Sequence, residues 1–329
     1  MNRTEETRLD TEPMAGRRLP AIAWADQYPL FMLIGLFIIA SFSSRAFFTH
    51  DNLSNLVSQL SVTGVVVLAE LIVVLSGGID ISVGSTLGLS AVLCAGMFGG
   101  SNVWIGLLVA LVTGSVVGAV NGVLIAFRGV AAFIITLGML ALARGLVYAY
   151  TEGSPLTPAD PAFIVPGTAN LFGFPTIGLF WIAVIAIMAF VLRRTVFGRR
   201  VYAIGSNKTA AESSGLPVRM TTFLVFTIAG MLSGLAGFLL TSRVGAGTPS
   251  AGINTELDAI AAVVIGGARL SGGYGKVAGA VIGTFIFGVI TNLLVLLNVS
   301  TFLQEAFRGG LILAAVSIAA GQRSSFGRR

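Results

Sequence analysis

Apolar residues in this chain come in long, nearly unbroken runs, not in the half-turn alternation or the one-sided helical stripe of a soluble core. The first run covers 28–48, about 20 residues, which is what a helix needs to cross the hydrocarbon of a bilayer. Four more follow at 53–75, 85–98, 104–127 and 131–150, and a second group at 175–192, 222–241, 257–270, 277–297 and 302–319. The pattern predicts an all-α fold, a polytopic transmembrane helical bundle of about ten membrane segments. That bundle occupies 28–320, between a disordered N-terminal tail over 1–27 and a short C-terminal tail over 321–329. No small-residue cleavage site follows the first run, so it reads as a span and not as a signal peptide.

Composition strengthens this reading. Hydrophobic residues make up 55% of the chain and charged ones only 10%, against roughly 25% charged in ordinary soluble domains. A soluble fold would leave much of that apolar area in water, at about 25 cal/mol per Å². The net charge of +6 concentrates beside the apolar runs: Arg3, Arg8, Arg17 and Arg18 before the first, Arg193 to Lys208 in one loop, and Arg323, Arg328 and Arg329 at the end. Basic clusters at span ends mark the cytoplasmic side, so the charge sets orientation and does not bind a polyanion. Ten crossings then place both termini, Arg128, Lys276 and the 193–220 loop in the cytoplasm of a multi-pass membrane protein.

One cysteine, Cys94, and one histidine, His50, leave no basis for a disulfide, a metal cluster or nucleophilic catalysis. No catalytic residue is expected. Cys94 lies inside an apolar run and reads as packing; His50 sits beside Asp51 at a helix end and reads as solvated. The 42 glycines exceed the usual share of about 7%, and many fall inside the spans. Gly230, Gly234 and Gly237, with Gly279, Gly283 and Gly288, are expected to mark close helix contacts.

Several segments carry candidate chemistry. LSGGIDISVGS at 75–85 breaks two helices with Gly77, Gly78 and Gly84 and places Asp80 at the break. Irregular backbone at membrane depth needs protein or a water-filled cavity to satisfy it, so Asp80 and Ser82 are candidates for lining a translocation path. A helix cap is the alternative for Asp80. LSGG recurs at 270–273, an echo between the halves. The same four letters occur in ATP-hydrolysing cassettes, but no Gly-x-x-x-x-Gly-Lys-Ser/Thr loop is present to cradle phosphates, so this chain is not itself the ATPase. Glu70 lies well inside the second run, where an acidic group costs about 2.5–3.5 kcal/mol and turns toward the bundle interior. Arg144 lies in the fifth, at a depth differing from that of Glu70 by roughly 13 Å at 1.5 Å per residue. A direct pair is therefore not expected; Arg144 reaches for the outer interface, backbone or substrate. Asn121 is a further polar candidate in the fourth span.

The loop 193–220 is punctuated for a helix of its own. Asn207 caps it, Lys208 to Ser214 make about two turns, Gly215 suits the left-handed position after its end, and Pro217 stops it. Ordinary helix connections take about 2–8 residues, so this one reads either as a docking element or as a helix on the membrane surface. The proline-bearing segment 151–174 reads as an external loop, irregular, either docking a partner or simply connecting two spans.

LSGGIDISVGS at 75–85, Asn121-Gly122, AAFIITLGMLALARGL at 131–146, the 197–218 loop and ELDAIAAVVIGGARLSGGYGKVAGAVIGT at 256–284 together resemble, in order, the permease subunits of the ribose, xylose and arabinose branch of bacterial ABC importers. The resemblance implies a type II ABC importer fold and a monosaccharide or related polyol as cargo. It implies a second permease subunit (homo- or heterodimer), a cytoplasmic ATPase pair that binds the ATP, and a periplasmic or lipoprotein sugar-binding protein. It also implies that the loop bearing Gly205, Asn207, Ala210, Ala211, Glu212 and Gly215 docks on the ATPase, and that this chain carries no cofactor. Ala69-Glu70-Leu71 departs from the Gly-Met-Thr of many members, which leaves the particular sugar open. An ion-coupled secondary transporter, and a nucleoside or amino-acid permease of the same superfamily, are the competing readings.

Overall fold

The computed structural model describes residues 24–96 and 99–326. Most of them are helical. Among the described residues, six helices are long and apolar enough to cross a membrane: α2 (His50–Leu75), α4 (Val103–Ala126), α5 (Ala132–Thr151), α7 (Thr176–Arg194), α10 (Val218–Val244) and α12 (Val277–Leu296). The other four expected segments appear as α1 (Trp24–Ser43), α3 (Val83–Ala95), α11 (Thr255–Ile265) and α13 (Thr301–Phe326). With 13 and 11 residues, α3 and α11 reach only about 20 and 17 Å at 1.5 Å per residue, short of the roughly 30 Å of hydrocarbon. Each adjoins a glycine-rich break. Helix α1 begins one turn before the expected start, and α13 runs helically into the expected C-terminal tail; the expected disorder of 1–23 lies outside the described residues.

Helix α2 forms the axis of the bundle. It is buried almost continuously from Leu60 to Leu75, and α7, α10, α11 and α12 pack around it. Its start is capped by Thr49, whose hydroxyl accepts from the Asn52 N–H at 3.4 Å. By contrast α5 lies at the rim, with Phe133, Ile134 and Leu142 exposed.

The most extensive helix pair, α4 and α10, meets through glycine. A Cβ at Gly114 would fall on the Gly230 carbonyl and 2.9 Å from the Gly234 Cα; one at Gly230 would fall on the Gly114 carbonyl and 2.8 Å from the Gly118 Cα. The helices meet backbone to backbone, as the glycine spacing led us to expect. Gly237 serves the same purpose against Leu87 and Ala91 of α3, as do Gly279 and Gly283 against Gly266 and Ala262, while Gly288 receives the Leu60 side chain.

The contacts between helix ends also fix which ends lie together. The starts of α2 and α4 meet the 151–175 segment: His50 Nε2 lies 3.2 Å from the Gly173 carbonyl, and the Val103 N–H donates to Asp160 at 3.0 Å. This segment, expected to be irregular, contains a one-turn helix α6 (Val165–Thr168) and a hairpin of β1 (Asn170–Leu171) and β2 (Phe174–Pro175). Leu156 and Gly247 bridge it to the loop after α10 through bonds of 3.0 and 2.8 Å. At the opposite end, Phe127 closing α4 rests against Phe223 of α10, with ring centroids 6.2 Å apart.

Replacing Gly230 with Val should force α4 and α10 apart and cost about 1–3 kcal/mol of overpacking. A lower midpoint of thermal aggregation in detergent is the readout, with Gly35→Val, where nothing lies within 4 Å, as the unaffected control.

Candidate translocation and coupling site

The break after α2 is closed by polar groups drawn from three directions. Helix α2 ends because Gly77 takes φ +84°, a conformation open to glycine without steric cost. The chain then runs through Ile79 to Ser82 before α3 starts. Asp80 Oδ1 accepts from the Ser82 N–H at 2.8 Å and from the Ser82 hydroxyl at 2.6 Å. Glu70 Oε1, from one face of α2, accepts from the Asp80 N–H at 3.3 Å. Asn121 of α4 donates to the Ser82 hydroxyl at 3.0 Å, and Thr136 of α5 approaches the Ile79 carbonyl at 3.5 Å.

Four of the path candidates therefore converge. Glu70, Asp80, Ser82 and Asn121 are each no more than 2% exposed and enclosed among α2, α3 and α4. Glu70 Oε2 and Asn121 Oδ1 have no hydrogen-bond partner, so this enclosed set keeps acceptor capacity unused. Asp80 holds the turn that leads into α3, as a cap does, and Glu70 holds Asp80.

The fifth candidate, Arg144, stands apart. Its Nη1 donates to the carbonyls of Pro249 at 3.1 Å and Ala251 at 2.8 Å, pinning the loop before α11 to α5 instead of extending to an interface. Glu256, the second residue of α11, lies close enough to interact with that charge. The loop can approach because α3 presents Gly84 and Gly88: a Cβ at the first would fall on Glu256 Oε2 and the Gly252 carbonyl, and at the second 2.6 Å from the Ala251 carbonyl. Glu256 is missed by the sequence reading: Glu70 stands out by lying inside an apolar run, whereas Glu256 sits just before the run at 257–270, where an acidic residue reads as interfacial. The pair of Arg308 Nε in α13 and Asp258 Oδ1 in α11, 3.3 Å apart, is missed as well.

The 193–220 loop holds two helices where one was expected: α8 (Val196–Ser206) and α9 (Lys208–Ser213). Thr195 caps the first, and Asn207 the second, with Asn207 Oδ1 accepting from the Ala210 N–H at 3.0 Å. Gly215 takes φ +74° and Pro217 precedes α10, so the sequence punctuation is met. Asn207, Ala210, Glu212 and Gly215 are exposed. Ala211 differs from the docking contact expected of it: it is buried in a small cluster with Ile204, Leu216 and Val218, because α9 must cover its own apolar side. Gly205, also expected in the docking set, faces inward. A Cβ there would fall on the Leu75 carbonyl at the end of α2 and 2.5 Å from the Gly273 nitrogen. Tyr202, not anticipated, donates its hydroxyl to the Gly275 carbonyl at 2.9 Å; burial pushes its phenol pKa up, which keeps that proton in place.

A helical bundle with broken, internally anchored membrane helices and a helical loop projecting from one end defines a multi-pass membrane transport protein. The family model described as "Branched-chain amino acid transport system / permease component" matches residues 52–316, and the chain belongs to that family. It is 38% identical over 321 residues to the ribose import permease protein RbsC of Escherichia coli (strain K12), covering 94% of this chain and 98% of that one. It is 40% identical to RbsC of Bacillus subtilis (strain 168), covering 88% and 90% of the two chains. The D-allose transport system permease protein AlsC of Escherichia coli (strain K12) is 36% identical, covering 91% and 92%. No solved structure matches the chain.

Asp80→Ala removes an acceptor from two donors, one of them a buried N–H, and should cost about 1–3 kcal/mol. Asp80→Asn, which retains an acceptor oxygen, should recover most of the lost thermal stability in the same detergent-based melt.

Proposed function

We propose that this chain is the membrane-spanning permease subunit of an ATP-driven ABC importer that moves a monosaccharide, a pentose, hexose or related polyol, into a bacterial cell. The observation carrying the reading is relatives named for ribose import and D-allose transport that match 88–94% of this chain. The docked-helix loop supports it independently, since a transporter driven by a separate motor needs a rigid, solvent-facing element on the motor side. In this proposal two permease subunits, alike or different, pair in the inner membrane. An ATPase pair binds and hydrolyses the ATP on the cytoplasmic side, and a periplasmic or lipoprotein sugar-binding protein delivers cargo from the other. Ten crossings are reached when α1 and α13 are added to the six long helices together with α3 and α11, each extended by the glycine-rich segment beside it, and cytoplasmic termini follow from the arginine distribution. The exposed face of α9, with Asn207, Ala210 and Glu212, is the docking surface, and Ala211 holds that face together from beneath. Glu70, Asp80, Ser82 and Asn121 latch the broken segment, which must shift for a polar path to open beside it, and Arg144 fixes the loop that rests on Gly84 and Gly88 at the start of α3.

The family description names branched-chain amino acids, and this is the second reading. It is separated by cargo. A thermal-shift screen of the cognate binding protein should return a pentose, hexose or polyol; stabilisation by leucine or valine alone would overturn the sugar assignment. An ion-coupled mechanism is separated by energy source, since uptake into proteoliposomes should require ATP and the ATPase, and uptake driven by a proton or sodium gradient without them would end the importer reading. Ala210→Arg is expected to abolish stimulation of the ATPase by loaded binding protein while the permease remains folded in the membrane. Unchanged stimulation would remove α9 from the interface.

A further inference from the structure

The end of α8 is wedged between both LSGG segments of the chain. Gly205 lies against the Leu75 carbonyl on one side, and on the other a Cβ at Gly272 would sit 2.7 Å from the Gly205 carbonyl and 2.8 Å from the Gly77 Cα. The two breaks are themselves joined: the Gly273 N–H donates to the Leu75 carbonyl at 3.0 Å. Gly77, Gly272 and Gly273 all have positive φ, at +84°, +88° and +71°. Tyr202, one turn earlier on α8, ties the second break through the Gly275 carbonyl. Two residues after Gly205, Asn207 starts the exposed helix α9.

We propose that Gly205 and Tyr202 are the positioning residues through which movement of the α8–α9 loop is delivered to both broken helices at once. The proposal rests on the importer reading and names the place where its motor stroke enters the bundle. A backbone-to-backbone contact contains no rotatable side chain to absorb a displacement, and close-packed interiors transmit strain instead of yielding to it. The contact also lies at the two places where helical hydrogen bonding is interrupted. A shift of α9 therefore acts where the helices are free to pivot, at the end of α2 and at the segment feeding α12. It does not act in the middle of α2, which is held on all sides. The resemblance between the two LSGG segments acquires a physical sense: each supplies one wall of the same small socket.

The test uses the full permease co-purified with its ATPase, reconstituted with binding protein and the sugar returned by the thermal-shift screen, and reads sugar moved per ATP hydrolysed. Gly205→Ala is expected to assemble and hydrolyse ATP but to lose about tenfold in that ratio, the equivalent of about 1.4 kcal/mol at the contact. Tyr202→Phe, which keeps the ring and removes one hydrogen bond, should lower the ratio several-fold with assembly intact. Gly35→Ala should leave it unchanged. A wild-type ratio in an assembled Gly205→Ala complex overturns the proposal. Should that variant not accumulate, an unchanged ratio in Tyr202→Phe overturns it. Failure of the ATPase to co-purify even with the wild-type chain would instead sink the importer reading, and the inference with it.

Discussion

A peptide group in hydrocarbon has no water to turn to, so each N–H and C=O at membrane depth must be satisfied by the protein itself. A continuous helix meets this condition internally. This chain breaks two of its membrane helices, after Leu75 and after Ile265, and most of its unusual chemistry answers that demand. Asp80, Ser82, Glu70 and Asn121 take up polar groups exposed by the first break. At the second, the Arg269 N–H donates to the Tyr274 carbonyl at 2.9 Å, and the Gly273 N–H finds the Leu75 carbonyl. The ends of the breaks thereby satisfy one another.

That exchange is possible because the backbones approach without side chains between them. Glycine acts at two scales in this molecule. Along α4 and α10 it lets two intact helices cross at van der Waals distance, which supplies attraction where lipid offers no hydrophobic driving force between helices. At Gly77, Gly205, Gly272 and Gly273 it serves turns and contacts together, and the positive φ values show that three of these positions would be strained with any larger residue. Enclosure has a corollary for transport. A polar set buried this completely anchors the segment between α2 and α3; under the proposed importer function it is a latch that must shift before cargo passes.

The 193–220 loop shows how far local chemistry reads and where it stops. Asn207, Gly215 and Pro217 announced α9 because caps and stops act on the neighbouring two or three residues. They carried no information about which face of that helix would be covered, so Ala211 was grouped with the exposed Ala210 and Glu212. Helix α8 is placed by partners distant in sequence: Val201 belongs to the main core, and Gly205 lies against Leu75 and Gly273. Arg144 illustrates the same boundary. Its depth relative to Glu70 followed from helical rise alone, and no pair between them forms, but its actual partners are the carbonyls of Pro249 and Ala251, more than a hundred residues away.

What the sequence determined by itself is therefore what depends on solvent and on near neighbours. The apolar runs, the breaks at LSGG, the helix caps and the placement of arginine beside the spans are answers to lipid, water and a few adjacent peptide groups. Only the tertiary structure decided that Glu70 would bind the break and not an arginine, and that the two LSGG segments would face each other across Gly205. Those outcomes are set by which helix faces pack together, a property of the whole bundle that no single stretch of residues contains.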